Sequence, residues 1–224
     1  MKNSKAEKIT VSGVTYVGGI SGQAYDYIRG VTAKDIHVRG SGNTIGGIAG
    51  HGLHIFTTYL YDSEVIGTTT NSNNVGGIVG NTWWDYSLNQ SGTKNVTVKS
   101  LGSNVGGLRG LQESSITYCF VYDGIVEGAS NVGGATGKFI RGTLAHTSIN
   151  AKVKSTGQSS GGLAGYVNNQ YTTNANNVSK AYNNMVLNTT VSSSTNAGGL
   201  IGRTDKELYP GHYYNNLIVA DISS

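Results

Sequence analysis

The chain has 224 residues and a formal net charge of +4, with 12% charged residues and 34 glycines against a single proline. Such a composition describes one turn-rich all-β domain and speaks against a helical bundle. The lysines and arginines are scattered rather than gathered on one basic face, which argues against a nucleic-acid partner. No stretch approaches the roughly 20 apolar residues of a membrane helix.

In chain order, residues 1–8 (MKNSKAEK) lack the apolar segment of a signal peptide. Residues 9–14 (ITVSGV) read as a partial coil beneath the first repeat. One phrase then returns seven times: VGGISG at 17–22 (glycine pair Gly18, Gly19), IGGIAG at 45–50 (Gly46, Gly47), VGGIVG at 75–80 (Gly76, Gly77), VGGLRG at 105–110 (Gly106, Gly107), VGGATG at 132–137 (Gly133, Gly134), SGGLAG at 160–165 (Gly161, Gly162) and AGGLIG at 197–202 (Gly198, Gly199). The pairs start at 18, 46, 76, 106, 133, 161 and 198, giving steps of 28, 30, 30, 27, 28 and 37 residues. Self-similarity at this period marks a repeat architecture. Between phrases lie β-prone runs such as IHV at 36–38, VTV at 96–98 and LIV at 217–219, several of which alternate apolar with polar. The expected fold is therefore a single all-β domain over residues 1–224, a right-handed parallel β-helix (β-solenoid) of about seven coils of about 30 residues.

Within the phrase, the apolar residues flanking the glycine pair are three apart, which a flat strand would send to opposite faces. Two glycines permit a corner that turns both inward and let stacked backbones approach closely. The residue before the phrase is Tyr16, Thr44, Asn74, Asn104, Asn131, Ser159 and Asn196. This asparagine-rich column suggests an amide ladder along the axis, a structural role. Residues 166–184 read as the one large insertion, on a surface loop. With no cap evident at either end, the chain is expected to be a segment of a longer one.

The lone Cys119 precludes an internal disulfide or a thiolate zinc site, and its apolar neighbours at 116–121 (ITYCFV) mark it as a small core residue. The most prominent exposed candidates are Trp83 and Trp84, followed by Asp85 and Tyr86, with Tyr25, Tyr27, Ile55 and Phe56 expected on the same side. Two readings stay open: the rings seal the flank of the coil, or they meet a partner such as a protein or a glycan. The position after the third glycine, Gln23, His51, Asn81, Leu111, Lys138, Tyr166 and Arg203, varies in every property, as either a recognition surface or a solvated corner would.

The phrase at 75–80 preceded by Asn74, and the segment 115–128 (SITYCFVYDGIVEG) leading to the glycine pair at 133, resemble the GLUG repeat over residues 14–219. The later copies depart from its pattern at Ala135, Ser160 and Ala197, which puts tight packing of the last coils in doubt. The resemblance implies a non-catalytic β-helical module of large bacterial surface or secreted proteins, among them the streptococcal immunoglobulin A1 protease family of zinc metallopeptidases and adhesin-like proteins. It thus implies an extracellular location and neighbouring domains of the same chain. A His-Glu-x-x-His zinc motif is missing: the loop pair His51 and His54 has neither the spacing nor the glutamate. No metal, cofactor or catalytic set is expected. The rival is a carbohydrate-active β-helix enzyme, a lyase or hydrolase, whose acids would have to come from residues spread over every coil, including the Tyr-Asp pairs that end in Asp62 and Asp123.

Overall fold

The computed structural model describes residues 1–82, 86–169, 178–205 and 211–224. The chain is a parallel β-solenoid, and every strand pairing between coils is parallel. Three sheets run the length of the rod. The first holds the glycine pairs, from Val17–Gly18 to Asn196–Gly198; the second holds the third glycines, from Ser21–Ala24 to Ile201–Thr204. The third is broader. It carries a column of long strands, from Ile28–Gly40 to Leu217–Ser223, and beside it a column of short strands that ends at His212–Tyr214. No helix occurs among the described residues.

The phrase aligns residue on residue. Val17, Ile45, Val75, Val105, Val132, Ser160 and Ala197 form one column, and the first glycines of the pairs form the next. Both flanking apolar residues do turn inward: Ile45 and Ile48, Val75 and Ile78, and Val105 and Leu108 are all fully buried. The corner between them is made by one carbonyl serving two donors. Ile78 O accepts from Ile48 N at 3.0 Å and Ala49 N at 3.1 Å, and Leu108, Ala135, Leu163 and Leu200 repeat the arrangement coil by coil. A Cβ at Gly76 would come under 3.0 Å from the Val79 carbonyl oxygen, and one at Gly77 under 3.0 Å from the Gly107 oxygen. The phrase therefore needs glycine for space between backbones, not only for a turn.

The interior is aliphatic and columnar. Val11, Val38, Val65, Val98, Val126, Val153, Val191 and Ile222 occupy one register position in successive coils. The members from Val38 to Val191 are buried, and burying each contributes roughly 1.5–3 kcal/mol. The departures at Ala135 and Ser160 leave no gap: both are fully buried, and Ser160 Oγ donates to Ser192 O at 2.7 Å. In the last coil Ala197 and Leu200 are partly buried, as Ile20 is in the first.

The insertion is shorter than the sequence implies. Tyr166 belongs to the strand Ala164–Val167, and Ser179–Tyr182 is a strand paired with Gly142–Ala145. The N-terminal partial coil is longer than expected, with Lys2–Gly13 paired along Ile28–Gly40.

Among the described residues, the eighteen non-glycine residues with positive φ fall into three columns. Tyr16, Thr44, Asn74, Asn104 and Asn131 stand before the phrase; Lys8, Asp35, Asp62, Asn95, Asp123 and Asn188 bend the long strands at their middle; Thr57, Gln90, Tyr118, His146, Asn183 and Asn215 follow the short strands, and Asn3 takes the same register position within Lys2–Gly13. Left-handed backbone is tolerated best by Asn and Asp. The asparagine excess and the acids Asp62 and Asp123 thus have a backbone cause. Asn104 and Asn131 also form the anticipated amide ladder with Asn74. Asn196 does not join it: Ser159 intervenes, and Asn196 Nδ2 donates to Gln158 O at 3.0 Å instead.

Candidate functional site

Phe139 is fully buried in the core and Tyr166 lies in the second sheet, but the stacked aromatic rings stand along the outside of the broad sheet. Tyr27, His54 and Phe56 lie nearly parallel, with Tyr27 and His54 at 5.1 Å, His54 and Phe56 at 5.7 Å and Tyr27 and Phe56 at 6.1 Å between centroids. Tyr86 meets His54 edge-on at 5.0 Å. The sequence-derived candidates Tyr27, Phe56 and Tyr86 are thus brought together, with His54 at the centre. Tyr25 stands beside them, 62% exposed, its hydroxyl donating to Gln23 Oε1 at 3.1 Å. Trp83 and Trp84 lie outside the described residues. Ile55 is not on this side: alternation in the strand sends it inward, fully buried, while Phe56 faces out.

Sequence reasoning missed two further groups. Tyr59 and Phe120 lie 6.0 Å apart although one whole coil separates them, and Gly92 of that coil stands between in register. A Cβ there would collide with the Phe120 ring, so the glycine leaves the space that the ring fills. Phe120 continues to Tyr122 at 5.3 Å, and Tyr59 to Tyr61 at 6.4 Å. Farther along, Tyr118 stacks on His146 at 4.7 Å and Tyr182 on Tyr214 at 5.1 Å, with His146 edge-on to Tyr182. The signal was present: Tyr118 and His146 are 28 residues apart, one coil. Rings at successive coils seal the flank by stacking on one another, yet Tyr27, Tyr118, Tyr122 and Tyr214 remain 42–57% exposed.

His51 is not a loop residue. It sits in the strand Ala49–Gly52, 2% exposed, with Tyr16 edge-on at 5.9 Å, and burial lowers its pKa. Among the described residues no three His, Cys, Asp or Glu side chains converge as metal ligands.

The column after the third glycine is as expected one register position, in which Lys138, Tyr166 and Arg203 are adjacent. Lys138 Nζ and the Arg203 guanidinium lie 5.5 and 4.8 Å from the Tyr166 ring centroid. The Tyr166 hydroxyl donates to Asp205, which also accepts from Arg203 Nη2 at 2.8 Å and Asn168 Nδ2 at 3.2 Å. Burial, then the bond to Asp205, raises the Tyr166 pKa; the bonds from Tyr166 and Arg203 lower that of Asp205. The pair is stabilised as neutral phenol and carboxylate, a bonded latch between two coils.

Two buried groups have interior roles. Cys119 is 2% exposed, its thiol donating to Thr117 O at 3.2 Å, and burial pushes its pKa up to about 12, so the small-core reading holds. Arg109 is fully buried and donates from Nη1 to Ser114 Oγ at 2.8 Å, but its Nε and Nη2 have no partner, and burial pushes it down to about 10.

No family model matches the chain, and neither a curated protein nor a solved structure does.

Proposed function

We propose that the solenoid is a non-catalytic repeat module of a bacterial cell-surface or secreted protein, a rigid spacer that presents its aromatic flank to a host protein or glycan. In the context of an attached peptidase the same flank would recruit substrate. The observation that carries this reading is the placement of the stacked rings: mainly aliphatic columns, with Phe139 among them, fill the interior, while the stacked aromatic side chains gather along the broad sheet and several keep substantial exposure. Exposed aromatic clusters are costly in water and suit sugar rings and protein interfaces alike. The extracellular setting follows from the resemblance to GLUG repeats.

The test is capture of the immobilised chain by arrays of glycans and host surface proteins, comparing wild type with Tyr27→Ala/Tyr122→Ala. Capture that falls at least tenfold at an unchanged melting temperature supports the reading. Undiminished capture counts against it.

One arrangement favours the rival carbohydrate-active enzyme: Tyr166, Asp205, Arg203 and Lys138 place acid, base and cations together on one face. Release of new reducing ends from acidic or neutral polysaccharides, abolished by Tyr166→Phe, would establish that alternative.

A further inference from the structure

One register column on the outer face of the broad sheet runs Lys2, Arg29, Phe56, Asn89. Neighbouring strands lie about 4.8 Å apart, so the two cations stand in consecutive coils directly opposite each other, an arrangement that costs stability. Three other cations on this sheet meet acids: Lys34 with Asp62 at 3.4 Å, Arg39 with Glu64 at 3.2 Å and Lys99 with Glu127 at 3.1 Å. Neither Lys2 nor Arg29 has a carboxylate within ion-pair reach among the described residues. The nearby Asp26 is engaged instead with Tyr27 N at 2.7 Å.

These two cations border a surface groove of about 430 Å³ lined by Lys2, Tyr27, Arg29, Phe56, Thr57 and Gln90. That lies within the 300–1,000 Å³ usual for small-ligand sites. The lining contains two cations, two aromatic rings, a hydroxyl and an amide, and no acid. In this register column Phe56 is followed in the next coil by Asn89 rather than by another ring. Thr57 and Gln90, which complete the lining, both hold left-handed backbone.

We infer that this groove takes a carboxylate-bearing sugar, one uronic-acid residue of an acidic glycan. Arg29 and Lys2 meet the carboxylate, the Phe56 and Tyr27 rings pack against the apolar parts of the sugar, and Gln90 and Thr57 reach its hydroxyls. An acidic peptide would also satisfy the cations, and polyglutamate in the test below separates it from the sugar. The inference rests on the reading of the aromatic flank as a partner-binding face and narrows its ligand to one class.

The test is titration calorimetry of the full chain with an oligogalacturonate, with the same oligomer after reduction of its carboxyls to alcohols, and with polyglutamate. The acidic sugar is expected to bind at least tenfold tighter than its reduced form, more weakly as salt rises, since exposed charges are screened. Arg29→Gln should remove the preference and leave the reduced oligomer's affinity unchanged, whereas Phe56→Ala should weaken both sugars. Arg39→Gln, whose cation is already paired with Glu64, should change neither. Equal binding of the two oligomers would overturn the inference while leaving the glycan-binding face standing, and binding of neither would overturn both. Polyglutamate binding as tightly as the uronate would overturn the sugar assignment. Melting temperatures of the variants confirm that each is folded.

Discussion

Asn104 Nδ2 donates to Asn74 Oδ1 at 2.8 Å across 30 residues of sequence, and both residues hold left-handed backbone, with φ of 60° and 56°. One residue type answers two demands: its short polar side chain tolerates the corner, and its amide links coil to coil. Below Asn74 the same corner is filled by Thr44, with φ 69° and a β-branched side chain that suits it poorly.

Thr44→Asn should therefore stabilise the protein, by about 1–2 kcal/mol from relieved strain plus one added amide bond. Asn104→Ala should cost about 2 kcal/mol, because it leaves both ladder neighbours without their bond. Urea midpoints measured at constant m-value check both.

Gly76→Ala should be among the most damaging single substitutions in the chain. The added methyl meets backbone on both sides, the Val79 oxygen and the Arg109 Cα, neither of which can move without shifting a coil. A loss of about 3 kcal/mol or more, or failure to fold, is expected in denaturant titration.

Arg109→Met should raise stability. A base whose pKa falls on folding holds its proton more tightly in the unfolded chain, so the buried charge costs stability at every pH below about 10, and the cost fades as pH rises toward the ordinary arginine value. A shift of that size corresponds to about 3 kcal/mol. Cys119 acts in the opposite sense. Its folded pKa of about 12 lies above the unfolded one, so stability is lost as pH rises from the ordinary thiol range toward 12. The advantage of Arg109→Met should accordingly shrink above pH 10, as read from the difference between variant and wild-type melts.

Tyr166→Phe should loosen the contact between the coils that carry Tyr166 and Arg203. Asp205 has a depressed folded pKa, so its contribution is present above the ordinary carboxylate range and lost as pH falls through the folded value. Removing the phenol should flatten that acid limb and speed hydrogen exchange in the strand Ile201–Thr204, measured by mass spectrometry between pH 3 and 7.

The coil number and the inward pairs were legible because glycine at a fixed period leaves few alternatives: Ile45 and Ile48 are where the spacing places them. The left-handed columns were legible only where Asn or Asp occupies them. Tyr118 and His146 hold the same backbone with residue types that signal nothing, since register with neighbours imposes the conformation. The same tertiary constraint hid His54, which reads as a failed metal ligand until the coil sets it between Tyr27 and Phe56. Arg109 gave no warning, because a cation at the fifth place of a glycine phrase faces outward as readily as inward until the sheet closes.

The residue-on-residue alignment of the phrases makes length a quantity that can change without redesign. Joining Ile45 directly to Gly76 removes one coil, 46–75, yet leaves every interior column and every corner with a matching neighbour. Unequal recombination between phrases would lengthen or shorten such a rod in steps of about 4.8 Å. The glycine phrase is in this sense the graduation of a ruler, and the distance at which the aromatic flank is held out becomes an inheritable, countable trait.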